Sequence, residues 1–292
     1  MAAARLLAIG DITWDVLFRP AGELVWGADV YGAVDLLPGG SAANVAVWAT
    51  RLGAAVTLVG KIGDDRLGHL MRAHLADEGL AGGVTTVSGG LTTRIGVVIR
   101  PDAERAFVTD HTRLLRLAAA DLPASLLDGV DVVFLNGYAV FTAGSADFAT
   151  GLLTEARRRD VAVAFDPSSC SLLTHYGPSR LLAEIGPLDI LLANEDEGRA
   201  LAPGRPFSAL LDHAALAVVK RGSEGAMAMA GPRVVHGAAE RVAVVDSTGA
   251  GDAFDAAFLV EYWTRGDLAG ALAEGNRLGG RVTSRLGAQG AR

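Results

Sequence analysis

The stretch DSTGAGDAF occupies positions 246–254 and leads into an apolar segment that is predicted to be a helix over 250–264. The small residues at 249–251 allow backbone amides to converge where the helix begins. There, unpaired N–H groups and the helix dipole favour an anion such as a phosphate. Asp252 would lie beside this anion hole, where a carboxylate can accept the proton of a hydroxyl that attacks a γ-phosphate. The alternative is a glycine-rich turn in which Asp252 only stabilises the first helical turn.

The rest of the chain alternates short β-rich apolar runs with helix-period stretches, a pattern typical of βα units around a mainly parallel sheet. The predicted strands are 6–12, 56–59, 130–135, 161–165, 190–192 and 216–219. The predicted helices are 42–52, 66–77, 146–159, 250–264 and 268–286. We therefore expect an α/β protein with a doubly wound, mainly parallel sheet that is flanked by helices.

Two segments, about 22–36 and 94–110, interrupt this alternation and resemble antiparallel strands. The second contains Pro101-Asp102, a pair that favours a hairpin turn. We expect one domain over 1–292 in which these segments form a small β-sheet lid. Because such a sheet has unpaired edges, a homodimer that pairs two lids is also expected. The alternative is a pair of peripheral hairpins without a function.

The composition argues against several kinds of partner. The chain has 292 residues, 50% of them hydrophobic, and 26 basic against 33 acidic residues give a net charge of −7. This acidic balance removes the usual electrostatic basis for binding nucleic acid or an anionic membrane. Cys170 is the single cysteine, and no apolar run approaches the roughly 18 residues of a membrane helix. We therefore expect a cytoplasmic protein.

PGGSAAN at 38–44 is a second glycine-rich helix entry. Its glycines would let a ligand approach the backbone, and Asn44 offers both a donor and an acceptor to a polyol. The alternative is that Ser41 is an ordinary N-cap and Asn44 points into solvent.

Two further polar motifs follow predicted strands. NEDE at 194–197 lies where open α/β sheets bind ligands, and its acidic groups could organise hydrated magnesium. Its alternative is a solvated helix start. KRGSEG at 220–225 could place a cation near nucleotide phosphates, or it could simply form a hairpin turn.

These motifs occur together and in order, and with them the chain resembles the ribokinase-like (PfkB) family of carbohydrate kinases over essentially its full length. The resemblance is carried by GDITWD (10–15), PGGSAAN (38–44), VGKIGDD (59–65), NEDE (194–197), KRGSEG (220–225), DSTGAGDAF (246–254) and RLGAQG (285–290). It implies an ATP-dependent, magnesium-requiring kinase that phosphorylates a primary hydroxyl of a small sugar or sugar acid. DPS at 166–168 departs from the family's frequent DPN, so no role is assigned to it.

The resemblance also implies roles for the matching positions. Asp252 would be the catalytic base, and the anion hole would comprise Gly249, Ala250 and Gly251. The substrate would be held by Asp15, Gly39, Gly40 and Asn44, with Arg94 on the lid as a further candidate. The candidates for nucleotide binding are Asn194, Lys220, Gly222, Gly225 and Asn276. Glu197 would serve magnesium, while Asp246 and Thr248 look like a loop for a monovalent cation such as K⁺.

Two other functions stay open. A nucleoside kinase of the same family would have Trp14 or Phe107 to stack on a base, whereas Arg94, Arg105 and His111 could instead meet the carboxylate of a sugar acid. A catalytically silent ligand-binding protein on the same fold is the other possibility, although Asp252 and Glu197 argue against it. A P-loop kinase is disfavoured because the sequence contains no GxxxxGK[ST].

Overall fold

The computed structural model describes residues 3–100, 105–109, 114–141 and 146–290. Its strands are β1 (Arg5–Ile9), β2 (Thr13–Pro20), β3 (Gly32–Gly39), β4 (Ala55–Gly63), β5 (Val84–Val87), β6 (Arg94–Ile99), β7 (Arg105–Thr109), β8 (Val132–Asn136), β9 (Ala162–Asp166), β10 (Leu188–Asn194), β11 (Ala214–Lys220), β12 (Ala226–Ala230) and β13 (Arg233–Gly237). Its α-helices are α1 (Ser41–Arg51), α2 (Arg66–Asp77), α3 (Gly137–Phe141), α4 (Ala146–Arg158), α5 (Cys170–Tyr176), α6 (Pro178–Ile185), α7 (Glu195–Leu201), α8 (Ala250–Arg265) and α9 (Leu268–Thr283).

The larger sheet has nine strands in the order β13-β12-β11-β10-β9-β8-β1-β4-β5. The strands from β11 to β5 are parallel, and only β12 and β13 run antiparallel to their neighbours. A central strand such as β8 is buried along its whole length, which explains why its sequence is a continuous apolar run. The predicted doubly wound, mainly parallel sheet is confirmed, and each of the six predicted strands overlaps an observed one.

Helices cover both faces of this sheet. On one face, α1, α8 and α9 pack on the strands through a cluster that contains Phe254 and Phe258, and α2 joins α1 there through Met71. On the other face, α4 and α6 contribute Leu153 and Leu181 to the largest cluster. Among the described residues, no helix is both long enough and apolar enough to cross a bilayer.

Four of the predicted helices are observed to within one residue at each end, whereas the last one is shorter than predicted. It was expected to reach residue 286 but ends at Thr283. The chain leaves the helix there because the next residues make tertiary contacts instead. The Gly287 N–H donates to the Asp246 carboxylate at 2.9 Å, and the Ala288 carbonyl accepts from the Trp48 indole N–H at 2.9 Å.

A second sheet of four strands, in the order β3-β2-β6-β7, forms the lid sheet. The predicted hairpin over the second segment is observed as antiparallel β6 and β7, while its predicted turn at Pro101-Asp102 lies outside the described residues. The first segment differs from the prediction. Residues 21–31 form no strand, Trp26 in that stretch is fully exposed, and β3 pairs instead with β2. The segment Glu23–Trp26 has a β-rich composition, but none of the described strands pairs with it.

The lid sheet has two different faces. On its inner face, Leu17, Val97 and Ile99 are buried and pack against Leu286 of the C-terminal segment. The opposite face carries apolar side chains that remain exposed, namely Phe18, Val34, Leu36 and Val108. The alternation of inward and outward side chains along each strand produces this division.

Candidate active site

Polar side chains gather at the carboxyl edge of the nine-stranded sheet. Asn136, Asp166, Asn194 and Lys220 are the last residues of β8, β9, β10 and β11. Because these strands are parallel, their ends meet at the same edge, which is where open α/β sheets bind ligands.

The loop at 246–249 leads into α8 at this edge. Gly249 is the N-cap residue, with a positive φ of 74°. A Cβ at Gly249 would lie 2.3 Å from the Ala288 Cβ, so only glycine fits there. Among the described residues, the backbone N–H groups of Gly251 and Asp252 have no backbone hydrogen-bond acceptor. These amides and the helix dipole favour an anion at this point. They overlap only partly with the predicted positions 249–251, because the Ala250 N–H donates to the Ser247 carbonyl at 3.3 Å.

Asp252 lies in the first turn of α8 and is held by α1. Ser41 Oγ donates to Asp252 Oδ1 at 2.6 Å, and Asn44 Nδ2 donates to Oδ2 at 2.7 Å. Burial raises the pKa of Asp252 to about 6, although both hydrogen bonds act to lower it. The carboxylate is therefore oriented and ionised near neutral pH, with a pKa suited to accepting a proton.

Asp11 occupies the start of α1. Its carboxylate accepts from the Ser41 N–H at 3.0 Å and from the Ala42 N–H at 3.3 Å. Gly40, the N-cap residue, has a φ of 95°, and a Cβ there would lie 2.5 Å from the Asp11 carbonyl oxygen. The amides that begin α1 are thus satisfied by the protein's own carboxylate, in contrast to those of α8.

Asp15 and Gly39, two of the predicted substrate positions, are in direct contact. A Cβ at Gly39 would lie 2.3 Å from Asp15 Oδ2, so the absence of a side chain at 39 makes room for that carboxylate. Thr13 Oγ1 donates to Asp15 at 3.0 Å. Burial, opposed by this hydrogen bond and reinforced by the Asp11 charge, raises the pKa of Asp15 to about 7.

The other predicted substrate residues, Asn44 and Arg94, lie in different surroundings. Asn44 is brought to Asp252, and its Oδ1 accepts from Gln289 Nε2 at 3.0 Å. Arg94 begins β6 and is exposed beside Trp14 in the sheet register. Trp14 itself packs in the core and donates its indole N–H to the Leu67 carbonyl at 2.9 Å.

Lys220 forms a buried ion triad with two carboxylates. Its Nζ lies 2.7 Å from Asp166 Oδ2 and 3.0 Å from Asp255 Oδ1. Burial alone would lower the pKa of the Lys220 ammonium, but the charges of Asp166 and Asp255 outweigh it and raise that pKa. The Nζ is also 3.5 Å from the point that a Cβ on Gly251 would occupy. The ammonium therefore lies directly behind the anion hole.

Asn194 and Glu197 form a reciprocal capping box at the start of α7. Asn194 Oδ1 accepts from the Glu197 N–H at 2.9 Å, and Glu197 Oε2 accepts from the Asn194 N–H at 2.8 Å. The sequence analysis gave a solvated helix start as the alternative for this motif. The helix start is observed, but Glu197 is buried rather than solvated. Burial and the charge of Asp166 raise the pKa of Glu197 to about 7.

The remaining predicted nucleotide residues lie around one turn. Gly222 and Gly225 belong to the turn between the antiparallel strands β11 and β12, so this segment is a hairpin turn at the edge of the site. A Cβ at Gly225 would lie 2.0 Å from the Gly237 carbonyl oxygen. Asn276 on α9 donates its side-chain amide to that same carbonyl at 3.0 Å.

Asp246 and Thr248 are joined within their own loop. Asp246 Oδ1 accepts from Thr248 Oγ1 at 2.6 Å and from the Thr248 N–H at 2.9 Å. Arg105, on the inner face of the lid sheet, reaches the same hydroxyl with its Nη1 at 3.3 Å. Burial lowers the pKa of the Arg105 guanidinium, while the charges of Asp246 and Asp252 oppose this effect. Among the described residues, Arg105 forms no ion pair. His111 lies outside them.

The sequence analysis assigns no role to three residues that lie at this site, namely Asp11, Asp255 and Gln289. Asp255 could have been found from the sequence, because it lies one helical turn from Asp252 on the same face of α8. Asp11 and Gln289 belong to the quoted GDITWD and RLGAQG motifs. Their partners are distant in the chain, and the sequence contains no signal for those pairings.

The comparisons with known proteins show the family of this chain. A family model described as pfkB family carbohydrate kinase matches residues 5–292. The chain therefore belongs to the pfkB family of carbohydrate kinases, and the predicted family is confirmed.

Individual relatives align with most of the chain. The chain is 30% identical over 98% of its length to an ATP-dependent ribose-1-phosphate kinase of Halopiger xanaduensis, of which it covers 94%. It is 31% identical over 86% of its length to the bifunctional protein HldE of Pseudomonas savastanoi pv. phaseolicola, but it spans only 52% of that protein. A provisionally assigned ribokinase II from E. coli, solved in complex with ATP and Mg²⁺, superposes with a TM-score of 0.86 at 22% identity, covering 98% of this chain and 94% of the other.

The ion triad generates a stability prediction. Lys220→Met leaves two buried carboxylates without their cation, and we expect it to lower the free energy of unfolding by about 3–5 kcal/mol. The measurement is urea denaturation at pH 7. As a control, Arg5→Met removes a cation from an exposed pair with Asp131 and should leave the stability nearly unchanged. Equal effects of the two substitutions would contradict a stabilising role for the triad.

Proposed function

We propose that this carbohydrate kinase transfers the γ-phosphate of ATP to a primary hydroxyl of a small sugar or sugar acid, with Asp252 as the general base. One observation carries the proposal: an oriented carboxylate with a pKa of about 6 lies in the same helical turn as unpartnered backbone N–H groups. Base and anion hole are thus contiguous, as in-line phosphoryl transfer requires. The ATP bound in the E. coli structure and the ATP-dependent relative support ATP as the donor.

In this mechanism, Asp252 accepts the proton of the acceptor hydroxyl as its oxygen forms a bond to the γ-phosphorus. The bond between the γ-phosphorus and the bridging oxygen breaks, and ADP leaves with that electron pair. The free backbone amides at the start of α8, among them those of Gly251 and Asp252, stabilise the charge on the transferring phosphoryl group, with the Lys220 ammonium behind them. Asp15 and the backbone at Gly39 and Gly40 hold the other hydroxyls of the acceptor.

Magnesium fits the residues at the edge of the site. Glu197 is a buried carboxylate with a pKa of about 7, so a nearby cation would favour its ionised form. In the described ranges, no group of three or more His, Cys, Asp or Glu side chains forms a ready metal cluster. This suits Mg²⁺, which keeps several waters and is bound by one or two carboxylates together with substrate phosphates. When bound, it would neutralise charge on the triphosphate.

A monovalent cation such as K⁺ is proposed for the loop that carries Asp246 and Thr248. Asp246 is fully buried; its carboxylate accepts hydrogen bonds from Thr248 and Gly287 but makes no ion pair in the described part of the chain. A buried carboxylate without a cation is costly, and a K⁺ ion beside the loop would offset that cost. We also propose that the enzyme works in the cytoplasm, consistent with its single, partly buried cysteine.

The proposed acceptor is a sugar acid or another anionic sugar in preference to a nucleoside. Arg105 brings onto the inner face of the lid sheet a guanidinium that pairs with no carboxylate of the described residues, and it lies close to Thr248. Trp14, one of the two aromatic residues considered for base stacking, is buried in the core. Arg105 can bind a carboxylate or phosphate group of the acceptor through two parallel hydrogen bonds.

The function is tested by ADP release from Mg-ATP with a panel of pentoses, hexoses, sugar acids, phosphosugars and nucleosides. We expect acceptor-dependent turnover that falls at least about a hundredfold in Asp252→Asn, which keeps the shape but removes the base. In the wild type, kcat/KM should fall below pH 6, because Asp252 becomes protonated as the pH drops through its pKa. Asp212→Asn, at an exposed ion pair, is the matched control. Near-normal turnover of Asp252→Asn would refute the assignment.

The acceptor class gives a separate prediction for Arg105. Arg105→Met should raise the KM for an anionic acceptor by about tenfold or more, since hydrogen bonds to charged groups contribute roughly 1.5–3 kcal/mol. Arg105→Lys should be intermediate, and Arg233→Met, on the far edge strand, should change nothing. A KM that Arg105→Met leaves unchanged for anionic acceptors would contradict this role.

We further propose a homodimer that is formed through the outer face of the lid sheet. The face carries Phe18, Val34, Leu36 and Val108, which are 39–69% exposed. Contiguous apolar surface of this kind is characteristic of interfaces, and a second lid would cover it.

Sedimentation velocity at micromolar concentration tests the dimer. Val108→Glu should convert it to a monomer, because the interface would then bury an unpaired charge. Val234→Glu, at an exposed position on β13, should leave the dimer intact. A wild-type monomer would contradict the proposal.

A further inference from the structure

Gln289 is a buried polar residue that the phosphoryl-transfer mechanism does not use. Its side chain is 2% exposed and makes two hydrogen bonds. Nε2 donates to Asn44 Oδ1 at 3.0 Å, and Oε1 lies 2.6 Å from His74 Nε2. Since Asn44 donates to Asp252, a continuous chain of hydrogen bonds runs from His74 on α2 through Gln289 and Asn44 to the proposed base.

The direction of this chain is set by the charge of Asp252. An ionised carboxylate can only accept, so Asn44 must present its NH₂ group to Asp252 and its oxygen to Gln289. Gln289 must then present its own NH₂ group to Asn44 and its oxygen to His74. The last step requires that His74 carries a proton on Nε2. The amides of Asn44 and Gln289 each have one orientation that satisfies both of their neighbours. That orientation is the one required when Asp252 is ionised and can accept a proton.

The position of Gln289 is itself fixed from several sides. The neighbouring Ala288 carbonyl accepts from the Trp48 indole, and the Gln289 carbonyl accepts from the Arg51 guanidinium. Arg51 is in turn held by Glu78 at 2.7 Å. Gln289 therefore cannot move away from Asn44 without breaking contacts to α1.

We propose that Gln289 is a positioning residue for the catalytic base and that it acts through Asn44 to hold Asp252 in its productive orientation. His74 fixes the orientation of the Gln289 amide from the other end. This inference rests on the proposed function of Asp252. It gives the C-terminal RLGAQG segment a part in turnover although Gln289 touches no reacting atom.

A double-mutant cycle between Gln289 and Asn44 tests the proposal with the acceptor that the panel identifies. Gln289→Leu should lower kcat by about tenfold while the KM for ATP changes less than about twofold, because misplacing a catalytic group affects turnover more than binding. In the Asn44→Ala background, Gln289→Leu should have no further effect. Additive effects of the two substitutions would overturn the proposal.

The pH profile supplies a readout that a purely structural role would not move. The Asn44 hydrogen bond lowers the pKa of Asp252, so a loosened Asn44 should shift the acid limb of kcat/KM to higher pH in Gln289→Leu. The other charged or titratable groups facing Asp252, namely Asp11, Asp15, Tyr138, Asp166 and Arg105, are the same in both proteins. An unshifted acid limb in Gln289→Leu would count against the proposal.

His74→Ala tests the outer end, with the exposed His69→Ala on the same helix as the matched control. A fall in kcat of about threefold for His74→Ala alone is expected, by analogy with the loss of one neutral hydrogen bond. Equal kcat values for the two variants would overturn the role of His74. A wild type that phosphorylates no acceptor refutes the proposed function instead. In that case the same double-mutant cycle is measured in the free energy of unfolding. An absence of coupling between Gln289 and Asn44 would overturn the proposed chain of hydrogen bonds.

Discussion

Two hydrogen bonds to one carboxylate join the two halves of the site. Ser41 and Asn44 lie on α1 and donate to Asp252 on α8, which is more than 200 residues away in the chain. A carboxylate that loses its water needs such donors, because an unpaired buried charge is costly. The approach of α1 to α8 is therefore as much an electrostatic requirement as a packing one, and the parallel sheet provides it by presenting both helix starts at the same edge.

The charge balance of this edge explains its pKa values. Among the described residues, five buried carboxylates lie there, namely Asp15, Asp166, Glu197, Asp246 and Asp255, together with the partly buried Asp11 and Asp252. The cationic groups beside them are Lys220, which is already shared by Asp166 and Asp255, and Arg105 from the lid sheet. The excess negative charge, added to burial, accounts for the pKa of about 7 at both Asp15 and Glu197. Such an edge repels a bare triphosphate and attracts a cation, so the nucleotide and its metal ion are expected to bind together.

Periodicity was sufficient to predict six of the nine strands of the large sheet, but of the lid sheet it predicted only the β6–β7 hairpin and part of β3. Continuous apolar runs such as 188–194 are unambiguous because buried parallel strands need apolar residues on both faces. β2 was missed because TWDVLFRP mixes inward and outward residues and follows β1 closely. Within the site, the motifs located Asp252, Lys220 and Glu197. The spacing of Asn194 and Glu197 is that of a capping box, which is a local pattern. The sequence could not reveal the pairing of Asp252 with Ser41, because long-range partners leave no local pattern.

Four consecutive residues near the end of the chain connect all of these parts. Leu286 packs into the inner face of the lid sheet, and Gly287 donates to the Asp246 carboxylate. Ala288 lies against Gly249 at the proposed anion hole, and Gln289 donates to Asn44, which in turn donates to the proposed base Asp252. Adjacent residues are only about 3.8 Å apart along the backbone. A shift of Leu286 would therefore also strain the contacts that its neighbours make with Asp246, Gly249 and Asn44. Under the proposed function, in which the lid sheet encloses the acceptor and Asp252 is the base, both features depend on the same short segment.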